Sequence, residues 1–255
     1  MSEVLVVIPT YNERATIGSI VARILAAVPD AHILIVDDGS PDGTGSIAAQ
    51  LADHNLRVHV LHRAGKLGLA SAYRDGFTWG LERGYGYLVE FDGDGSHQAE
   101  ELPALLAAAT HADVVLGSRW VAGGRVVDWP LKRQVLSRGG SWYARMMLGM
   151  PFRDITGGYR VFSARALAGL EYDSVDSDGY SFQIEMLFAA WRAGFTIVEV
   201  PITFVERQFG SSKMSSHIVL ESLVLVTRWG IRRVLSGAGE PVALPLPASV
   251  TTAKH

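Results

Sequence analysis

The sequence predicts an α/β domain in which a mostly parallel, Rossmann-like sheet carries helices on both faces. Short runs of β-branched and apolar residues alternate with segments whose apolar residues recur at helical spacing. Such alternation is typical of parallel sheets, because each helix returns the chain to the edge where the next strand begins. The length of 255 residues and the 48% hydrophobic content are enough for one such domain with an appended segment.

The elements are predicted in chain order from these two periodicities. Five strands are expected in the first half, at 4–8, 32–36, 57–61, 87–91 and 113–116. Four helices are expected between them, at 15–28, 43–53, 68–83 and 99–109. After Gly117 the pattern is less regular, and it indicates helices at 132–148 and 181–193 and a short strand at 197–200.

The main domain is predicted to span residues 1–215, and the last part of the chain is predicted to lie outside it. The segment 216–236 mixes apolar residues with Arg228, Arg232 and Arg233. Two interpretations are open for it: an amphipathic helix in a membrane interface, or a helix packed on the domain. The tail 237–255, rich in Pro, Ala, Ser and Thr, is predicted to be disordered.

Composition excludes several classes of protein. The net charge of −3 gives no reason to expect nucleic-acid binding, and the lack of cysteine excludes disulfides and thiolate metal sites. Neither a dinucleotide fingerprint nor a Walker phosphate loop is present. No signal peptide is evident, and no uninterrupted apolar stretch reaches the roughly 18 residues of a membrane span. A soluble or peripheral protein is expected.

Two aspartates, Asp92 and Asp94, directly follow the predicted strand 87–91. In an open α/β sheet, ligands collect outside the carboxyl ends of the strands. Carboxylates there are suitable ligands for Mg²⁺ or Mn²⁺, with substrate phosphate oxygens completing the shell. Asp-Gly pairs also form ordinary turns, so a metal site and a polar turn both stay open on these residues alone.

Polar clusters also follow the first two strands, at 9–13 and 37–44. Tyr11 can cover a flat base, and Glu13 and Asp38 can accept hydrogen bonds from base amino groups or ribose hydroxyls. Helix caps and turns use the same residue types. The interpretation as a nucleotide site therefore depends on whether these clusters lie close to Asp92 and Asp94, at the same edge of the sheet.

Basic residues occur where a diphosphate would need them. Arg119 follows the strand at 113–116, and Arg207 and Lys213 flank a polar segment. With a bound metal they would neutralise a departing diphosphate, although each alone could be a surface charge. Gly157 and Gly158 could let the backbone approach a ligand. Gln183 and Glu185 would point toward the site if 181–193 is a helix entered from it.

Several motifs in order resemble the family 2 glycosyltransferases of GT-A fold, and more narrowly the polyprenol-phosphate (dolichol-phosphate) mannose synthases. The resemblance covers about residues 4–214, and the segment 66–73 favours mannose synthases over glucosyl relatives. The motifs that carry it are 9–13, 37–44, 66–73, 117–119, 132–133, 156–160 and 199–202, with Arg207 and Lys213.

The resemblance implies inverting transfer of mannose from GDP-mannose to a polyprenyl (dolichyl) monophosphate, with Mg²⁺ or Mn²⁺, by a peripheral enzyme on the cytoplasmic face of a membrane. Membrane contact would come from the helix near 216–235, from an anchoring partner or from a fused region. The family usually has Ala and Leu where this chain has Gly93 and Gly95, which predicts a looser loop. The implied site residues are Pro9, Tyr11, Glu13, Asp38, Asp42, Lys66 and Asp92 for the donor nucleotide; Asp92, Asp94 and Ser96 for the metal; Arg133 and Ser137 for the acceptor phosphate; and Asp94, Arg119, Arg207 and Lys213 for catalysis.

Three rival functions are considered. The same reaction with UDP-glucose keeps the chemistry and changes only the donor. A nucleotidyltransferase would be expected to carry a Gly-rich, lysine-containing loop where this chain has 9–13. A non-catalytic nucleotide-sugar binding module would not require the whole set of acidic and basic residues.

Overall fold

A computed structural model describes residues 3–170, 172, 180–207 and 216–235 of the protein. Nine strands lie in this part of the chain: β1 (Val4–Thr10), β2 (His32–Asp37), β3 (Val58–His62), β4 (Tyr87–Glu90), β5 (Val114–Ser118), β6 (Arg125–Val127), β7 (Arg160–Ser163), β8 (Ile197–Pro201) and β9 (Thr203–Val205). The helices there are α1 (Ile17–Ala27), α2 (Thr44–His54), α3 (Leu69–Glu82), α4 (Leu102–Ala109), α5 (Leu131–Leu148), α6 (Ala164–Ala168), α7 (Tyr180–Arg192) and α8 (Ser216–Leu235).

The strands form a seven-stranded sheet in the order β3-β2-β1-β4-β7-β5-β8, and β6 pairs with β9 in a separate two-stranded sheet. All pairs in the large sheet are parallel except those that β7 makes with β4 and β5. The predicted mostly parallel α/β sheet is therefore confirmed. The predicted strands and longer helices are present with small differences at their ends, whereas β6, β7, β9 and α6 were not predicted.

Strand β7 reverses the sheet at its centre. Its first residue, Arg160, pairs with Glu90 at the end of β4, and both side chains are fully buried. An antiparallel strand begins at the edge where its neighbour ends. The chain that precedes β7 therefore enters at the carboxyl ends of β4 and β5.

Successive side chains of the central strands enter two different cores, as the period of a strand requires. Leu5, Val7 and Leu88 face one core, which the helices α3, α5, α6, α7 and α8 cover. Val6 and Ile8 face the other, which α1, α2 and α4 cover. Helices thus lie on both faces of the sheet, as predicted, and the carboxyl ends of the parallel strands stay open at one edge.

Helix α8 packs on the domain through one face. Val226 is buried, and Thr227 Oγ1 lies 2.6 Å from Tyr143 Oη of α5. Gly230 lies so close to Met147 that a Cβ at position 230 would come within 2.9 Å of the Met147 carbonyl oxygen. None of the described helices combines the length and hydropathy that crossing a bilayer requires. The predicted tail 237–255 lies outside the described residues.

Candidate active site

The aspartate pair lies at the end of β4, as the sequence predicts. Asp92 Oδ1 accepts a hydrogen bond from Tyr73 Oη at 3.3 Å, and Asp92 Oδ2 lies 3.1 Å from His97 Nε2. Asp94 Oδ1 accepts from the Ser96 amide at 3.0 Å, while Asp94 Oδ2 lies 3.1 Å from Arg207 Nη2. The two carboxylates are therefore held in place at the open edge of the sheet.

His97 is a site residue that sequence reasoning missed. Its buried ring packs between Phe91 and Phe204, with ring centroids 5.4 and 5.5 Å away. Burial raises the pKa of Asp92, but the bonds and charges of His97, Tyr73 and Arg207 outweigh burial and lower the pKa below its ordinary value. Asp92 is thus held as a carboxylate. The one signal in the sequence is that His97 follows Asp94 by three residues.

The expectation of a loose loop at Gly93 and Gly95 is wrong. Thr16 Oγ1 donates to the Gly93 carbonyl at 2.6 Å, and a Cβ at position 93 would lie 3.1 Å from the Pro9 carbonyl oxygen. Gly95 has φ +82°, a left-handed conformation that glycine adopts without strain. The glycines serve a tightly fitted turn.

The carboxylates of Asp92 and Asp94 suit a divalent cation that also binds a substrate. Among the described residues, no group of three or more His, Cys, Asp or Glu side chains is placed to hold a metal. Asp92 and Asp94 thus offer hard oxygen ligands but no complete protein cage, which is the arrangement that Mg²⁺ takes with substrate phosphates. Ser96, predicted beside the metal, is buried and supports Asp94 through its backbone amide.

The residues expected to bind the nucleotide gather beyond β1 and β2. Lys66 Nζ lies 4.6 Å from the centre of the Tyr11 ring. Asp38 is buried, and its carboxylate accepts from Arg63 Nη1 at 2.5 Å and from the Leu67 and Gly68 amides at 3.2 and 3.1 Å. Asp38 is expected to contact the base or ribose, and in this structure its carboxylate fastens the segment that carries Lys66.

Asp42 and Glu13 join the first two strand-end clusters. Asp42 Oδ1 accepts from the Thr44 amide at 3.0 Å, at the start of α2, and Asp42 Oδ2 accepts from the Arg14 amide at 3.2 Å. Burial raises the pKa of Asp42, but a bond of 2.5 Å from the Thr44 hydroxyl, together with the two amide bonds, lowers the pKa below its ordinary value. The Glu13 amide donates to Thr44 Oγ1 at 3.0 Å. Asp42 thus holds the turn that leads into α2 and joins it to the segment after β1. Pro9 is half-buried at the end of β1.

Arg119 forms a buried ion pair that was not predicted. Its Nε and Nη2 donate to the two carboxylate oxygens of Asp154, each at 2.7 Å, and Nη2 also donates to Thr156 Oγ1 at 3.2 Å. Arg119 and Asp154 are both buried. Arg119 also faces the Trp129 ring, 5.3 Å from its centre. Its guanidinium is thus fixed in direction.

An apolar cavity of about 490 Å³ opens beside Arg119. Arg133 and Ser137 of α5 line it, and within the described structure neither Arg133 Nε nor the buried Ser137 Oγ has a hydrogen-bond partner. The rest of the lining is mostly apolar and comes largely from α5 and α8, including Trp129, Val135, Leu136, Trp142, Ile184, Leu223 and Val226.

Two consecutive residues connect the cavity to the aspartates. Glu206 accepts hydrogen bonds from Arg133, and the next residue, Arg207, pairs with Asp94. Lys213, predicted to act with Arg207, lies outside the described residues. The structure thus brings Arg133 and Asp94 to two ends of one site.

The arrangement has known relatives. The glycosyl transferase family 2 model matches residues 5–170. The chain belongs to glycosyl transferase family 2. This glycosyltransferase is 54% identical over 228 residues to undecaprenyl-phosphate mannosyltransferase of Micrococcus luteus, which covers 89% of this chain and 94% of the relative. It is 52% identical over 236 residues to polyprenol monophosphomannose synthase of Mycolicibacterium smegmatis, covering 92% and 89% of the two chains.

Solved structures confirm the fold of this glycosyltransferase. Glucosyl-3-phosphoglycerate synthase of Mycobacterium tuberculosis, crystallised with Mn²⁺, UDP and phosphoglyceric acid, matches with a TM-score of 0.61 at 21% identity. The match covers 94% of this chain and 80% of that one. The same enzyme was also crystallised with Mg²⁺ and UDP, and that structure gives a TM-score of 0.60 at 21% identity, covering 92% and 79% of the two chains.

Proposed function

We propose that this glycosyltransferase transfers mannose from GDP-mannose to a polyprenyl (dolichyl) monophosphate, giving β-mannosyl phosphoprenol. The names of the two curated relatives support the sugar and the lipid acceptor. The observation that carries the proposal is the apolar cavity beside Arg119, with Arg133 and Ser137 in its lining, which Glu206 and Arg207 connect to Asp94. The mannose-synthase pattern of 66–73 supports GDP as the nucleotide.

The cavity suits an amphiphilic acceptor. Its apolar lining offers contact to the first prenyl units, which gain free energy on leaving water. Arg133 Nε and Ser137 Oγ, which have no partner among the described residues, can donate hydrogen bonds to a phosphate. Bonds between a guanidinium and a phosphate are among the strongest available to a protein. A lipid phosphate would therefore enter with its charged end toward Arg119 and the aspartates.

The reaction needs little beyond positioning and charge stabilisation. A lipid phosphate is already an anion at neutral pH, so one of its oxygens can attack C1 of mannose without a general base. As that bond forms, the bond from C1 to the diphosphate breaks and its electron pair passes to the departing GDP. Attack from the face opposite GDP inverts C1. Arg119, fixed by Asp154, would orient the phosphate.

The departing diphosphate would be met by Arg207 and by Lys213. Arg207 lies at Asp94 already, where a phosphate oxygen could replace the carboxylate as its partner. Asp92 and Asp94 would hold Mg²⁺ or Mn²⁺. That cation would supply positive charge against the charge that develops on GDP.

Transfer of radiolabel into organic-soluble lipid tests the proposal. The protein is incubated with undecaprenyl phosphate and Mn²⁺, and with either labelled GDP-mannose or labelled UDP-glucose. We expect lipid label from GDP-mannose and none when EDTA is in excess. Equal or greater transfer from UDP-glucose would show that the donor is wrong, and no transfer from either donor would contradict the proposed reaction.

Two arginine variants should separate acceptor binding from leaving-group stabilisation. Arg133→Ala is expected to raise the KM for polyprenyl phosphate about tenfold and leave the affinity for GDP-mannose unchanged, because Arg133 lines the lipid cavity. Arg207→Ala is expected mainly to lower kcat, since charge on the diphosphate develops in the transition state. Two-substrate kinetics measure both effects. If Arg133→Ala instead weakens GDP-mannose binding and leaves the lipid KM unchanged, the assignment of Arg133 to the acceptor site is wrong.

The protein is proposed to work as a peripheral enzyme on the cytoplasmic face of a membrane. Helices α5 and α8 pack side by side and expose an apolar face that includes Trp142 (62% exposed) and Val234 (71%). Exposed Arg228 and Arg232 lie on the same α8. Apolar side chains beside arginines suit insertion at the surface of an anionic bilayer. In this proposal α5 joins the last helix in the membrane contact, for which the sequence left an anchoring partner or a fused region open as well.

Sedimentation with anionic liposomes tests this surface. The double variant Met146→Ser/Val234→Ser is expected to lower the bound fraction several-fold and keep GDP-mannose affinity, because Met146 of α5 (65% exposed) and Val234 are mostly in solvent and neither lines the cavity. Leu56→Ser is the control, since Leu56 is 91% exposed and lies between α2 and β3. Added salt should also weaken binding. Equal sedimentation of the double variant and the control would mean that a partner or fused region supplies the membrane contact.

A further inference from the structure

Gln183 is a buried amide without a partner of standard geometry. It lies in the first turn of α7 and is 3% exposed. Neither its amide nitrogen nor its amide oxygen forms a hydrogen bond of standard geometry with a described residue, although the amide lies close enough to the Glu90 carboxyl to lower the pKa of that group. A buried amide in this condition costs free energy, and in native proteins it usually has a ligand or a functional reason.

The space in front of Gln183 is shared with Asp92. A Cβ at Gly158 would lie 3.8 Å from Gln183 Nε2 and 3.8 and 3.9 Å from the two carboxylate oxygens of Asp92. The amide and the carboxylate therefore border the same small volume, which glycine leaves clear. Groups with both donor and acceptor capacity, such as sugar hydroxyls, match such a pair.

A single buried arginine holds the walls of this volume. Arg160 donates to the backbone carbonyl of Gln183 at 2.6 Å and to those of Gly157 and Ile155, each at 2.8 Å. Burial raises the pKa of the adjacent Glu90 carboxyl to about 7, even though Arg160 and Gln183 both lower it. Gln183 is thus fixed in position by its backbone, while its amide interacts with the Glu90 carboxyl and also borders the volume that it shares with Asp92.

The sheet order places Gln183 between the two substrates. Tyr11 and Lys66 lie beyond β1 and β2 on one side of β4, and the lipid cavity lies beside α5 on the other. Gln183 borders the volume next to Asp92 at the end of β4, and its neighbour Ile184 lines the cavity. The part of the donor that must meet the acceptor is the sugar. A ligand group in this volume is therefore part of the sugar and not of the base or the prenyl chain.

We infer that Gln183 determines sugar specificity by hydrogen-bonding hydroxyl groups of the transferred hexose, in a subsite completed by Asp92 and Gly158. This inference rests on the proposed function for the identity of the donor. Gln183 supplies both an N–H donor and a carbonyl acceptor, so it discriminates between sugars by the direction of a hydroxyl. Its loss weakens binding of the sugar nucleotide and spares binding of the nucleotide alone.

Calorimetric binding of GDP and of GDP-mannose to the full chain tests the inference. Gln183→Leu removes the polar atoms at similar volume, and Gly158→Ala fills the space with a methyl group whose nearest contact is 3.8 Å. Both variants are expected to bind GDP-mannose about tenfold more weakly than wild type, with GDP affinity within about twofold. Gln50→Leu, on the exposed surface of α2, is the matched control and should change neither affinity.

Equal loss of GDP and GDP-mannose affinity, or no loss of either, in the variants would overturn the inference. Gly158→Ala keeps the test decisive if Gln183→Leu does not fold. A wild type that binds UDP-glucose in preference to GDP-mannose would show instead that the proposed donor is wrong. The same comparison with UDP and UDP-glucose would then decide the role of Gln183.

Discussion

Replacement of Asp94 by alanine is expected to reduce mannosyl transfer at least about a thousandfold, because the cation proposed to bind there would stabilise the transition state by several kcal/mol. Asp94 is buried at the end of β4 and offers one oxygen to the Ser96 amide and the other to Arg207. Neither bond connects the two cores of the sheet. The fold should therefore survive, and thermal unfolding of the variant should resemble that of the wild type.

A second carboxylate provides the control for this result. Asp53→Ala removes an exposed aspartate of α2 and should leave activity unchanged. Binding of Mn²⁺, followed by electron paramagnetic resonance without donor or acceptor, should weaken in Asp94→Ala and not in Asp53→Ala. Full activity of Asp94→Ala, or of the wild type in excess chelator, would overturn the metal assignment.

Loss of Asp154 is expected to destabilise the protein by about 3 to 5 kcal/mol, since it leaves a buried arginine without its carboxylate. The Arg119 guanidinium makes two bonds of 2.7 Å to Asp154, and the Arg119 amide makes a third of 2.9 Å. The measurement is urea unfolding of Asp154→Ala at neutral pH. Transfer activity should fall as well, because Arg119 loses its fixed direction.

An exposed ion pair gives the matched comparison for Asp154. Arg23 and Glu100 lie 2.6 Å apart with side chains 36% and 61% exposed. Glu100→Ala should cost no more than about 1 kcal/mol, because water screens the pair. Similar costs for Asp154→Ala and Glu100→Ala would show that the buried pair contributes no special stability.

The sequence predicts those strands and helices that show a recognisable pattern of apolar residues. Strand β1 is recognisable as a continuous apolar run because both of its faces are buried, and helix α3 shows a helical period because it buries one face. Strands β6 and β9 have three residues each, which is too few for a period to show. A buried arginine at the start of β7 also conceals the strand, since its partners are backbone carbonyls that no pattern reveals.

The residues of the candidate site likewise fall into those that the sequence could predict and those that it could not. Asp92 and Asp94 could be predicted because parallel strands end at one edge, so their position in the sequence fixes their place in space. Asp154 and Glu206 could not, because each matters through an arginine that lies 35 or 73 residues away. Such pairings depend on how the chain folds. Asp38 also has partners that the sequence does not reveal, since Arg63 and the Leu67 and Gly68 amides donate to its carboxylate.

The reversed strand β7 also makes the chain convenient for spectroscopic labelling. It starts at the substrate edge with Arg160 and ends at the opposite edge, where the Ala164 amide donates to the Gly86 carbonyl at 2.8 Å before β4 begins. Ala168 follows in α6 and is exposed. Because the chain contains no cysteine, Ala168→Cys would be its only thiol. A fluorophore attached there would sit across the sheet from the substrates, and its tumbling could report attachment to a vesicle without touching either ligand.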